Sequence, residues 1–195
     1  IGMKKVIFSI IMIIFFFACK KEEVAVPDKT GNISFSLGYE ADGQAIITDT
    51  IKYPIDAGYL ISVVTLNYYL SEVKLIRSDG VEVLVKDFHY ASLNDTATNV
   101  VSCSSALQGT YKGISFNIGI DSAHNVPDGL PNTTDNNNMI WPIPMGGGYH
   151  FMKFEGYFSD STGTFGYAMH IGKNENLVKI KLDKNFTIGD NAINI

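Results

Sequence analysis

Alternation of apolar and polar residues recurs through most of this chain and favours sheet-based folds. The segment NISFSLGY places Ile33, Phe35 and Leu37 on one face, and GISFNIGI and LVKIKLD repeat the pattern. Helical periodicity is nearly absent, and turn signals such as Asp79-Gly80 separate the alternating segments. Strands with one apolar face suit antiparallel sheets that cover a core on one side. The sequence therefore predicts an all-β fold, an antiparallel β-sandwich of immunoglobulin-like or related type with long inter-strand loops.

The N-terminal segment has the pattern of a secretory signal. Lys4 and Lys5 precede an apolar run over residues 6–17, which is shorter than the roughly 20 residues that a membrane-spanning helix needs. The run ends in Phe-Phe-Ala-Cys, which resembles a bacterial lipobox and predicts lipidation of Cys19. We therefore expect a lipoprotein signal peptide over 1–18, a tether over 19–30 and a single domain over 31–195. An ordinary signal peptide with a chance cysteine is the alternative.

The charged segment after Cys19 bears on location. Lys-Lys-Glu-Glu at 20–23 cannot bury itself in lipid or in protein, so it is typical of a solvated tether. A charged cluster in this position also resembles the signal that sends some lipoproteins to the outer face of the outer membrane. We expect an outer membrane lipoprotein held by its lipid anchor, either surface-exposed or facing the periplasm.

Charge and cysteine content exclude further possibilities. The formal net charge is −5, and removal of 1–18, which holds two lysines and no acidic residue, makes it −7. An acidic domain argues against nucleic-acid binding, which depends on lysine and arginine. With Cys19 lipidated, Cys103 is alone and no intramolecular disulfide can form. The domain must then be held together by packing.

Two long connections interrupt the strand pattern. Residues 91–110 are polar and are predicted to be a connection with a short helix. Residues 121–147 contain four of the six prolines and the only tryptophan, Trp141. Long loops in compact domains are usually functional or disordered, and the prolines beside Trp141 indicate a loop that is fixed in place. The second connection is therefore the first place to look for a site.

No catalytic motif is recognisable. The sequence has no G-x-S-x-G, no H-E-x-x-H, no C-x-x-C and no glycine-rich phosphate loop after a strand. Carboxylates such as Glu72, Asp87 and Glu155 lie on predicted strands without a visible partner. We therefore expect a protein that is not an enzyme.

Histidine is the scarcest group with useful chemistry, and its four copies differ in setting. His170 lies on a strand face shared with Gly166, Ala168 and Gly172, which leaves space beside the ring. His124 lies in the long loop, just past a strand end. The other two are interpreted as structural: His150 as a satisfied, partly buried residue on the face of Met152 and Phe154, and His89 as a residue at a strand end.

Soft ligands flank the tryptophan. Met139 and Met145 lie on either side of Trp141, and thioether sulfur with neutral imidazole suits Cu(I). Methionine is also ordinary core-filling material. Asp121, Asp128 and Asp135 match no compact calcium loop and are interpreted as turn formers.

Several stretches together resemble the MbnP-like family of secreted β-rich proteins, named for a methanobactin-associated copper protein. They are YYLSEVKLIRSDG, YKGISFNIGI followed by His124, NMIWPIPMGGGYHFMKFEG and FGYAMHIG, in family order from roughly residue 31 to 190. The resemblance implies a domain that binds copper through histidines, in some members with an oxidised tryptophan. His124 and His170 match family histidines, so both are the expected metal ligands, with Met139, Trp141 and Met145 as soft or covering neighbours. The sequence departs from the family by having no Trp-x-His pattern at Trp141.

A second class of function stays open. The long loops and the high aromatic content could serve a surface module that binds a protein partner or a glycan without metal. Copper binding and surface recognition are therefore both carried forward as hypotheses.

Overall fold

The structure, a computed structural model, describes residues 28–195. The predicted signal peptide, the lipidation site Cys19 and most of the predicted tether lie outside the described residues. Within that range the strands are β1 Thr30–Ser36, β2 Glu40–Ala41, β3 Gln44–Ala45, β4 Tyr53–Pro54, β5 Leu60–Ile61, β6 Thr65–Arg77, β7 Glu82–Ser92, β8 Val100–Leu107, β9 Gly109–Ile118, β10 His150–Ser159, β11 Thr164–Gly172, β12 Val178–Ile188 and β13 Ile193–Asn194.

Helical structure is short. The α-helix α1 covers Thr134–Asn138, and 3-10 turns cover Thr96–Thr98, Ile143–Met145 and Asn174–Asn176. None of the helices in the described range has the length and apolar character needed to span a membrane.

Two sheets of unequal size make up most of the fold, and β2 and β3 form a separate two-stranded sheet. The larger has eight strands, in the order β12-β9-β6-β10-β5-β4, with β11 added to β10 and β7 added to β6. The smaller has three strands in the order β13-β1-β8, in which β1 pairs antiparallel with β8 and parallel with β13. The predicted all-β fold is confirmed.

The main core lies between these sheets. Alternation along β1 buries Ile33 and Phe35, while β6 and β9 contribute Leu70, Leu75 and Ile114 from the larger sheet. Burial of each such side chain stabilises the fold by about 1.5–3 kcal/mol. The apolar face predicted from the alternation is therefore the face that packs.

A second cluster lies beneath the long loop. It contains Tyr69, Ile120, Leu130, Met139, Tyr149 and Phe151. The Tyr69 hydroxyl donates a 2.7 Å hydrogen bond to Asn136 Oδ1 in α1, and the Asn136 side-chain amide donates to the carbonyl of Pro131. The first of these bonds is buried and attaches the loop to the larger sheet, as the sequence had indicated, and the second lies within the loop.

Residues 91–110 match their prediction only in part: the short helix is present as the 3-10 turn Thr96–Thr98, but the rest of the segment differs. Instead of a long connection, Val100–Leu107 forms β8, which pairs along β1 from Ser36 back to Thr30. The segment contains three serines, which weaken its apolar alternation, but pairing with β1 buries Val101 and Ala106. Tertiary pairing thus overrides a weak local pattern.

A β-bulge interrupts the pairing of β10 with β11. Lys153 pairs with His170 and Met152 with Ile171, but His150 pairs with Gly172, so β10 contains one extra residue at Phe151. Side chains alternate with a strict period of two, so one extra residue moves every position before it to the opposite face. His150 therefore lies on the face of Lys153 and not, as predicted, on the face of Met152.

Candidate metal centre

A tight return turn positions Trp141 ahead of β10. The backbone N–H of Trp141 donates to the carbonyl of Gly148, and Ile140 forms a β-bridge with Tyr149. Gly146, Gly147 and Gly148 have φ values of 120°, 70° and 82°, a region that glycine enters without steric cost. The glycine run therefore allows the chain to reverse between Trp141 and the start of β10.

The indole ring is held on three sides. Its Nε1–H donates a 3.1 Å hydrogen bond to the carbonyl of Met145, and its six-membered ring lies over Gly172 of β11. The ring of His150 contacts it edge-on, with centroids 4.5 Å apart. Trp141 is consequently only 9 % exposed and covers one side of His150.

Two imidazoles meet beside this indole. The ring centroids of His150 and His170 lie 4.8 Å apart with an interplanar angle of 70°. The bulge at Phe151 produces this pairing, because it moves His150 to the face of β11 that carries His170. We call Trp141, His150, Glu155 and His170 the paired-histidine cluster.

His150 has an unusual polar environment. The residue is only 7 % exposed, and its Nδ1 atom is buried without a hydrogen-bond partner among residues 28–195. Burial, and then the positive charge of Lys153 and the neighbouring His170, lower the pKa of His150 to about 4, against a smaller opposing effect of Glu155. The imidazole is therefore neutral at neutral pH, with a nitrogen lone pair that is not used.

His170 is oriented by a carboxylate. Its Nε2 lies 2.6 Å from Glu155 Oε1, and the two residues are diagonal neighbours because Lys153 pairs with His170 and Glu155 with Ala168. With the carboxylate as acceptor, Nε2 donates this bond, so Nδ1 is the nitrogen of His170 that is left for a metal. A carboxylate that fixes the tautomer in this way is typical of metal-binding histidines.

A separate cluster contains His124. Its Nδ1 lies 2.7 Å from Asp121 Oδ2 and its Nε2 lies 3.4 Å from Asp87 Oδ2, which is on β7. The hydrogen bond with Asp121 is the main cause of a raised pKa of His124, and burial opposes it. For Asp121 burial acts to raise the pKa, but hydrogen bonds from His124 and backbone N–H groups outweigh it and the pKa is lowered. This arrangement is typical of an ion pair.

The expected ligands are thus distributed over two places. His170 contacts His150 and Glu155, whereas His124 contacts Asp87 and Asp121, and the two histidines have no neighbour in common in these contacts. A hydrogen bond from the backbone N–H of Tyr149 to the Asn125 side chain links the two segments.

The predicted neighbours of the metal separate as well. Trp141 belongs to the paired-histidine cluster, Met139 is fully buried in the second core cluster, and Met145 is 56 % exposed. The sequence interpretation missed His150 as a candidate, because strict alternation places it on the other face. Its position directly after the return turn was the available signal.

Comparison with known proteins assigns the family. The sequence model of the MbnP family matches residues 30–194. The chain belongs to the MbnP family. Among solved structures, MbnP from Methylosinus trichosporium matches with a TM-score of 0.55 and 12 % identity, over 83 % of this chain and 73 % of that chain. A likeness at this identity shows a common fold, and no curated protein matches the sequence.

Proposed function

We propose that this protein is a copper-binding module of the MbnP family that binds the metal at the paired-histidine cluster and is anchored to the cell envelope by a lipid. The observation that carries the proposal is the buried Nδ1 of His150, which has no hydrogen-bond partner among residues 28–195 and lies in a ring next to His170. A buried polar atom without a partner is uncommon, and an ion bound at the site is one of its recognised explanations.

The donor set fits copper. Neutral imidazole suits copper and zinc, while calcium and magnesium prefer cages of oxygen ligands. His150 and His170 would hold the metal, Glu155 would orient His170, and Trp141 would shield one side of the site from water. Bound copper would supply a soft centre that can change its oxidation state. The role is binding and not catalysis, in line with the absence of catalytic motifs in the sequence.

The envelope location rests on the N-terminal sequence. The apolar run, the lipobox-like Phe-Phe-Ala-Cys and the charged segment after it support a lipid anchor at Cys19 on an outer membrane lipoprotein. Labelling of cells with an alkyne-tagged fatty acid tests the anchor, because only a chain with Cys19 intact should become labelled. Equal labelling of a Cys19→Ala variant would exclude this anchor.

Copper binding is tested by titration. The metal-free protein is titrated with Cu(I) in competition with a coloured chelator, alongside a His150→Ala, His170→Ala double variant. We expect the double variant to lose more than about 100-fold in affinity, because loss of both ligands should exceed the 10–100-fold typical of an outer-shell change.

Two other histidines serve as controls for this titration. His124→Ala and His89→Ala remove imidazoles outside the paired-histidine cluster, so they should bind Cu(I) as the unaltered protein does. Affinity that falls with His124→Ala and not with the double variant would contradict the proposed site and favour the Asp87–Asp121–His124 cluster.

A surface-binding role is the second candidate, and exposed aromatic residues favour it. Trp141 is too buried to stack on a sugar, but Tyr59, Phe158 and Phe165 form a continuous row with ring centroids 5.6 and 5.4 Å apart. Phe165 is 45 % exposed on β11. A glycan array and a pull-down from envelope extracts test this role. Binding that is lost in a Phe158→Ser, Phe165→Ser variant with unchanged copper affinity would support recognition of a partner at this surface.

A further inference from the structure

An apolar cavity of about 510 Å³ opens between the two sheets. Phe35 and Val101 of the three-stranded sheet lie on one side of it, and Leu70, Val73 and Ile114 of the eight-stranded sheet lie on the other. These five side chains are all buried, so they form the closed end of the cavity. The cavity is a continuation of the main core.

The unequal size of the sheets explains the open end. Three strands cannot cover the face of an eight-stranded sheet, so positions further along β6 and β9 remain partly accessible. Leu66, Tyr68 and Ile118 are half-buried where they line the cavity, and Leu182 of β12 is 49 % exposed. A ligand can therefore enter from this side without disturbing the closed end.

The lining selects the chemistry of the ligand. Of the described residues that line the cavity, none has a charged side chain, and side-chain hydroxyls come from Ser36, Tyr39 and Tyr68. The hydroxyl of Tyr39 already donates a 2.8 Å hydrogen bond to Asn99. A site without charged side chains offers an ionised headgroup no side-chain ion pair, and apolar cavities hold apolar molecules in preference to water. The matching ligand is apolar.

We infer that this cavity binds the acyl chain of a free single-chain lipid, with the lipid headgroup in solvent. Size supports this ligand: an apolar cavity of about 150 Å³ holds one benzene molecule, so a volume roughly three times larger holds a chain on the order of 16–18 carbons. The volume also lies within the usual range of small-molecule sites. The inference is independent of copper binding, because the paired-histidine cluster contributes no residue to the cavity.

Photo-crosslinking in a bilayer tests the inference on the full chain. The protein is reconstituted in phospholipid nanodiscs, incubated with diazirine-labelled palmitic acid, irradiated and digested for mass spectrometry. We expect labelled peptides from β6 and β9, and equal competition by unlabelled palmitic acid and by neutral monopalmitoylglycerol. Labels confined to the residues next to the bilayer, or competition by the acid alone, would overturn the inference.

Variants that fill the cavity give the second arm. Ile118→Trp and Leu66→Trp each place a large ring in the half-buried part, and Leu84→Trp is the matched control on β7, where Leu84 is 52 % exposed outside the cavity. Each filling variant that keeps the unfolding midpoint of the unaltered protein should label about tenfold less, because chain methylenes lose their apolar contacts. Equal labelling of folded filling variants and of the control would overturn the inference.

Discussion

The ring centroids of His150 and His170 lie 4.8 Å apart, although His150 begins β10 and His170 lies near the end of β11. This contact does not follow from the residue types or from their spacing in the sequence. The extra residue at Phe151 moves His150 to the face of β11 that carries His170, and Trp141 covers one side of His150. The candidate metal centre therefore depends on backbone register.

The carboxylate of Glu155 should tune the metal affinity of this pair. Glu155→Gln keeps the size of the side chain and an oxygen that accepts from His170 Nε2, but it removes the negative charge. We expect Cu(I) affinity to fall about 10–100-fold, because carboxylates that orient a ligand imidazole contribute in this range. Competition titration measures the change, and Glu82→Gln on the exposed side of β7 is the control. An affinity equal to that of the control would show that Glu155 does not act on the metal.

Close packing between Trp141 and β11 predicts the effect of a single methyl group. A Cβ added at Gly172 would lie 2.7 Å from the indole Cε3, so Gly172→Ala must displace the ring. We expect a loss of about 1–3 kcal/mol in unfolding free energy, as for other overpacked sites. The fluorescence of the only tryptophan in the chain should shift at the same time.

Gly166 provides a matched control on the same strand. A Cβ at Gly166 has its nearest neighbours at 3.9 and 4.0 Å, which is ordinary van der Waals contact. Gly166→Ala should therefore leave both stability and tryptophan fluorescence nearly unchanged. Equal effects of the two alanines would mean that strand flexibility, and not the indole contact, determines the result.

The ion pair of His124 predicts a pH dependence of stability. The pKa of His124 is raised above its ordinary 6.5. Its contribution to the free energy of unfolding is therefore fully present below pH 6.5 and is lost as pH rises through the folded-state pKa. The pKa of Asp121 is lowered below its ordinary 3.8, so its contribution is present above pH 3.8 and is lost as pH falls further. The free energy of unfolding in urea should therefore differ most between His124→Gln and the unaltered protein from pH 3.8 to pH 6.5.

His89 gives the opposite sign and serves as the control. Burial lowers its pKa below 6.5, against an opposing hydrogen bond to the carbonyl of Thr98. The contribution of neutral His89 is present above pH 6.5 and is lost as pH falls towards the folded-state pKa. The stability difference caused by His89→Gln should grow as pH rises, while that of His124→Gln shrinks. Parallel trends would contradict the charge assignment of His124.

Much of the fold follows from the sequence because alternation records burial directly. The strand at Ile33 and Phe35 is buried as its pattern predicts. On β11 the same argument identifies the strand but not the environment, because Met169 and Ile171 are 52 % and 43 % exposed on a strand that pairs with β10 alone. A sequence pattern states which residues share a face, but the extent of the opposing sheet decides whether that face is covered.

The site was predictable only in part. Trp141 and His170 were identified from the sequence, and the structure places both in one cluster. His150 was missed because a single extra residue reverses the alternation at the start of β10, and the side-chain types there do not indicate a bulge. Glu155 had no visible partner in the sequence, since its contact with His170 depends on the pairing register of two strands.

Because the site depends on the bulge at Phe151, a relative can keep the same side chains without keeping the site. A relative that retained both imidazoles but lost one backbone unit here would turn the first ring away from the second. Such a relative would contain both histidines, but they would not be arranged to bind a metal together. When members of this family are compared, the number of residues at the start of β10 should thus be as informative about the metal site as the identity of those residues.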